Sequence, residues 1–119
     1  MFILRKQFRF QASHKLPGHD GKCARLHGHS WIGYIEIQGE ELIEGGAKAG
    51  MLLDYGDIGA VVKPIVDDYL DHWHLNDSTG LENPTSEEIA RWMFEKLAVL
   101  SPIAIIIEET CTSRCEYRP

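Results

Sequence analysis

The sequence predicts an α+β domain of order ββααββ, a four-stranded antiparallel sheet with two helices on one face. Two stretches near the start alternate apolar and polar residues, and two longer ones repeat apolar residues every three or four positions. An apolar run then precedes the C-terminus. At 119 residues, with no internal repeat, linker or low-complexity tract, the chain forms one domain, 1–119.

The first strand is "KQFRFQASH", residues 6–14. Phe8, Phe10, Ala12 and His14 fall on one side and Arg9, Gln11 and Ser13 on the other, the period of a strand with one buried face. The second, "HSWIGYIEIQ" (29–38), is rich in β-branched and aromatic residues. In it Trp31, Gly33, Ile35 and Ile37 share a face with His29, and His27 joins them where the extended conformation reaches that far. After the loop "GEELIEGGAKAG", Ile58, Val61, Val62, Ile65, Val66, Tyr69 and Leu70 mark an amphipathic helix. Pro64 inside it is expected to kink the helix or remove one hydrogen bond. "PTSEE" opens the second helix, with Thr85 as N-cap and Glu88 completing a capping box. Its core stripe is Ile89, Trp92, Met93, Leu97 and Leu100, and "SP" at 101–102 ends it. "IAIIIEE" (103–109) reads as a buried strand and "CEYR" (115–118) as a short final one.

A net charge of −6 argues against a general nucleic-acid binder. The charge is uneven: residues 1–25 hold six cations and one acid, the remainder six cations and seventeen acids. That basic quarter either attracts a polyanionic small molecule, with Lys15, Lys22 and Arg25 as candidate contacts, or is a solvated face. No apolar run approaches the roughly 20 residues of a membrane span, and the start lacks signal-peptide order, so a cytoplasmic protein is expected. Three cysteines are an odd number and too few for a disulfide scaffold, so reduced thiols are expected.

Histidines carry the clearest chemical signal. His27 and His29, two apart on a strand, point the same way, and His14 ends the buried face of the neighbouring strand. Three imidazoles converging with an open fourth position make a catalytic zinc arrangement; alone, each would read as a turn or core histidine. His19 lies in a glycine-flanked loop and reads as solvated. A competing closed set is Cys111 and Cys115 with His27 and His29, although histidines one residue apart are atypical of that class. Cys23, between Lys22 and Arg25, has the cationic surroundings that favour a thiolate base over an inert buried thiol. In "LDHWHLND", Asp71 and His72 can form a carboxylate-imidazole relay, with His74 as rival for the imidazole role. Of Glu108 and Glu109 one must point inward, where a guanidine-like ligand edge would satisfy it.

The stretches "FQASHKL", "CARLHGH", "GMLLDYGDI", "LDHWHLND", "NPTSEEIA" and "EETCTSRCEYR" together resemble the 6-pyruvoyl-tetrahydropterin synthase family over nearly the whole chain. Within it, C-x3-H-G-H and "ETCTSRC" are similar to the branch that forms 6-carboxy-tetrahydropterin in queuosine biosynthesis. The resemblance implies the tunnelling fold, trimeric barrels stacked as hexamers, and active sites between subunits. It implies Zn2+ on His14, His27 and His29, Cys23 as general base, and Asp71 with His72 as proton relay. Glu109, followed by Thr110, would grip the pterin. The implied activity is a lyase turning 7,8-dihydroneopterin triphosphate into 6-carboxy-5,6,7,8-tetrahydropterin, acetaldehyde and triphosphate. The alternatives are the sister 6-pyruvoyl product, a zinc-water hydrolase, and a non-catalytic zinc module closed by Cys111 and Cys115.

Overall fold

The computed structural model describes all of residues 1–119. Strand β1 (Phe2–His14) pairs antiparallel with β2 (His27–Gly39) over its whole length, from Phe2 opposite Gly39 to His14 opposite His27. Strand β3 (Ala104–Thr110) pairs with β2 and β4 (Ser113–Tyr117) with β3, so the sheet order is β1-β2-β3-β4. The predicted α+β order ββααββ stands. β1 starts four residues before its alternating stretch, because "FIL" at 2–4 is apolar throughout and has no period to read. β2 reaches back to His27, as its face needed.

Helix α1 (Tyr55–Ile65) starts at Asp54, whose side chain accepts the Gly56 N–H at 2.8 Å, a cap the apolar stripe did not reveal. Pro64 occupies the last turn and has no N–H for the carbonyl of Ala60. Beyond it the chain widens into a π-helical turn, Val66–Leu70, closed by Asp71 N–H donating to Val66 O at 2.8 Å. A one-turn helix, α2 (Leu75–Ser78), follows unpredicted. Helix α3 (Ser86–Lys96) has the expected N-cap, Thr85 Oγ1 accepting from Glu88 N at 3.2 Å. The capping box is only half formed: Thr85 N–H donates to Asn83 O, and the Glu88 carboxylate faces Arg91 instead. The helix also stops short of Leu100, in a 3-10 turn at Ala98–Leu100 and a left-handed Ser101.

α1 with its π turn packs over β1, and α3 over β3 and β4. Their shared face buries Phe8, Phe10, Trp31, Ile35, Ile105 and Ile107 against Ile58, Val62, Leu70, Ile89, Met93 and Leu97. Each such side chain removed from water contributes about 1.5–3 kcal/mol. Gly33 makes room for this packing, since a Cβ there would come within 2.2 Å of the Phe8 ring. At one end of this apolar face the residues change to His14, His27 and His29, the first and last of them packed on Trp31. The opposite face of the sheet is polar, with Glu36 and Glu108 paired to arginines. No helix is long and apolar enough to cross a membrane.

Candidate metal centre and active site

The pairing of β1 with β2 sets His14 opposite His27 and Ala12 opposite His29, so all three imidazoles stand on the helix-side face. Their ring centroids are 4.5, 5.0 and 5.2 Å apart. Glu109 continues the inward alternation of Ile105 and Ile107 on β3 and joins them. One ligand atom from each of the four lies within 4.8 Å of the others. Glu109 Oε1 is 3.3 Å from both His14 Nε2 and His29 Nε2. That spacing is about the edge of a tetrahedron with the 2.0–2.1 Å bonds of zinc to nitrogen or oxygen.

Hydrogen bonding prepares these rings for a cation. His14 Nδ1 donates to Pro84 O at 2.8 Å and His27 Nδ1 to Arg25 O at 2.7 Å, which leaves each Nε2 with its lone pair free. His14 Nε2 and His29 Nε2 are buried without a hydrogen-bond partner, since the Glu109 contacts lack hydrogen-bond geometry. Burial holds both imidazoles below the usual histidine range, so they stay neutral, the form that binds metal. Two orphaned nitrogens and a third free one fit a metal ion, and the Glu109 carboxylate stands close enough either to close its coordination or to meet a ligand beside it. The carbonyls of Pro84 and Arg25, which orient two rings, had no signal in the sequence.

Cys23 lies in a 3-10 turn, Lys22–Ala24, beside this cluster. A cavity of about 430 Å³ brings Lys22, Cys23 and Arg25 together with His27, His29 and Glu109. Lys15 stands outside its lining; both its backbone groups are held by the Asn76 amide. Thr110 is exposed at the strand end, its hydroxyl facing Thr112. Glu108 turns to the other face and pairs with Arg114, so Glu109 is the inward acid. Cys111 is exposed in the β3–β4 turn and Cys115 lies on β4, where burial pushes its thiol up. Neither joins the histidine group, so the competing Cys2His2 set is not assembled.

Asp71 and His72 do pair, with His72 Nδ1 at 3.0 Å from Asp71 Oδ2. The Gln11 N–H, first, and His72 hold the Asp71 carboxyl below the usual carboxylate range. His72 takes a left-handed φ of 65° and is 79% exposed on its side chain. His74, the rival, goes elsewhere: its Nδ1 meets Ser13 Oγ at 3.0 Å, a contact between residues 61 apart that no local pattern signals. His72 and His74 line a second cavity of about 450 Å³ with Gln11, Ser13, Ser30 and Trp73. Gln11, Ser13 and Ser30 alternate with Ala12, His14 and His29 and so point away from the imidazole cluster, and the cavity meets the thiol cavity only at Gly28 and His29, which line both. Within one chain, the thiol and the relay therefore occupy different cavities.

A family model described as 6-pyruvoyl tetrahydropterin synthase matches residues 3–119. A 6-carboxy-5,6,7,8-tetrahydropterin synthase from Synechocystis sp. is 46% identical, over 98% of this chain and 93% of the relative. One from Haemophilus influenzae is 37% identical over 99% of both chains. The solved structure of Caenorhabditis elegans 6-pyruvoyl tetrahydropterin synthase superposes with a TM-score of 0.83 at 25% identity, covering 99% of this chain and 95% of that one.

Proposed function

The chain belongs to the 6-pyruvoyl tetrahydropterin synthase family, and from that premise we propose a zinc-dependent lyase acting on 7,8-dihydroneopterin triphosphate. With one water consumed per substrate, its products are 6-carboxy-5,6,7,8-tetrahydropterin, acetaldehyde and triphosphate, in the service of queuosine biosynthesis. The observation that carries this reading is a pair of orphaned imidazole nitrogens beside a thiol and an inward carboxylate in one cavity.

His14, His27 and His29 hold the zinc. The bound ion supplies Lewis acidity toward the side-chain oxygens of the substrate. Cys23 removes a proton from the substrate side chain, in the cavity it shares with Lys22 and Arg25. The same two cations meet the triphosphate as it leaves. Glu109 accepts hydrogen bonds from the guanidine-like edge of the pterin, with Thr110 next to it at the strand end. His72 moves the second proton through Nε2 while Asp71 holds Nδ1. Because this relay lies outside the cavity of its own Cys23, it serves the site of a neighbouring copy. The working protein is then a homo-oligomer, trimer-based and stacked as a hexamer.

Two products remain to be told apart, since the family model is described by the pyruvoyl product and the relatives at 46% and 37% identity by the carboxy one. Mass spectrometry of zinc-loaded protein incubated with 7,8-dihydroneopterin triphosphate decides. We expect 6-carboxy-tetrahydropterin with acetaldehyde. A 6-pyruvoyl product would keep the site and move the branch. No turnover by fully metallated oligomer would overturn the lyase reading and leave a zinc-binding module.

A further inference from the structure

The relay cavity contains a second imidazole to which the scheme above gives no task. His74 lines it together with His72, and both belong to a segment fastened along the outer edge of β1. Gln11 N–H donates to Asp71 Oδ1 at 2.9 Å, His72 N–H to Gln11 O at 2.6 Å and Ser13 N–H to Trp73 O at 3.2 Å. Ser13 precedes the metal-facing His14 and points to the other face of the same strand. One strand thus positions a metal ligand on one side and the anchor of His74 on the other.

The two rings are held by chemically different partners. A carboxylate only accepts, so the contact of Asp71 Oδ2 at 3.0 Å favours the His72 tautomer with its proton on Nδ1 and Nε2 left as an acceptor. The Ser13 hydroxyl has one proton to place, and His74 Nδ1 is its one hydrogen-bond partner in the chain. A hydroxyl can donate or accept there, and when it donates the His74 proton lies on Nε2. With that direction, two imidazoles two residues apart present opposite characters to one cavity, an acceptor and a donor.

We propose that His74 is a hydrogen-bond donor of the relay cavity, set beside the acceptor His72 to hold an anionic oxygen of the substrate, with Ser13 as its positioning residue. The substrate is the one proposed above, and the inference rests on that reading for it; the proton placement does not. An acceptor that takes a proton works best when the oxygen gaining charge nearby is held by a fixed donor.

Two measurements on the zinc-loaded oligomer test this. Long-range 1H–15N spectra of histidine-labelled protein should show His72 protonated on Nδ1 and His74 on Nε2. In kinetics, His74→Phe should lower kcat about 10²-fold, the scale of removing one oxyanion donor. KM, zinc content and melting temperature should hold, and His74→Gln, which restores an N–H, should recover most of the rate. Ser13→Ala should cost about tenfold, a part of that donor loss, and Ser13→Thr should rescue it. A His74 proton on Nδ1, or wild-type kcat in folded, metallated His74→Phe, would overturn the proposal. If the wild-type protein forms neither pterin product, the proposed function fails, and the spectra alone then decide whether His74 is the donor.

Discussion

Two polar side chains of this protein have no exposed surface, His14 and Glu36, and they sit in opposite situations. Glu36, on the polar face, has both carboxylate oxygens met: Arg5 Nε donates to one at 2.5 Å and Arg118 Nη2 to the other at 2.7 Å. His14, on the apolar face, has one nitrogen on Pro84 O and the other on nothing. Buried polar atoms are nearly always paired, because each unpaired one costs about 1–3 kcal/mol. A completed pair such as Glu36 closes a structure. A deficit repeated on His29, in the same few ångströms and next to a carboxylate, calls for a ligand. Burial alone marks neither; the unmet hydrogen bond does.

The most severe way to test this contrast is to change each residue and follow metal. His14→Ala should cut zinc affinity by more than about 100-fold, since loss of an outer partner alone costs 10–100-fold, and abolish turnover. Zinc per chain by mass spectrometry reads it. Glu36→Ala should leave zinc stoichiometry at the wild-type value. Equal zinc loss in both variants would mean that the His14 effect is only damage to the fold. Next in size is Cys23→Ala, which should keep its zinc while turnover falls about 10²–10⁴-fold, the range for a well-placed acid-base group. Zinc loss in this variant would make the thiol a ligand.

How much of this contrast the sequence disclosed follows from the range of the interactions. The faces of β1 and β2 depend on a two-residue period, so His14, His27 and His29 were legible as one group. The inward acid was narrowed to Glu108 or Glu109 by the same rule, and the resemblance chose Glu109, which the structure places on the cluster. What escaped was set by distant partners: Pro84 O on His14, Asn76 on Lys15, Ser13 on His74, Arg118 on Glu36. The helix details failed for a local reason, as Pro64 shifted the winding to a π turn and Glu88 preferred Arg91 to its cap. Which cavity receives the relay is likewise a property of the sheet face, visible only once segment 71–74 is seated on β1.

Glu36 predicts a moderate loss of stability. Glu36→Ala should cost about 1–3 kcal/mol in urea unfolding, the range for breaking a buried hydrogen-bonded pair. The lower part of that range is expected, because Arg5 and Arg118 are 60% and 45% exposed and regain water when the carboxylate is removed. A loss beyond that range would show that the arginines are held in place by the assembled sheet face and cannot rehydrate.

Asp71 is the intermediate case and gives the smallest effect. Its carboxylate is satisfied like that of Glu36, by Gln11 N–H and His72, yet it serves the site like His14, because the free nitrogen lies one residue on, at His72 Nε2. Those contacts hold its folded pKa below the usual value near 4, so between the two values the unfolded chain binds more protons. The Asp71 contribution is therefore complete above about pH 5, roughly one unit over the usual value, and is lost as pH falls through the lowered folded value. Urea unfolding of wild type and Asp71→Asn should differ most near neutrality and converge as pH falls through the lowered folded value. Curves that stay parallel across that range would mean that the wild-type carboxylate is as easily protonated as in the open chain. The Gln11 bond would then hold only the backbone in place, and His72 would lack the fixed partner that makes it a base.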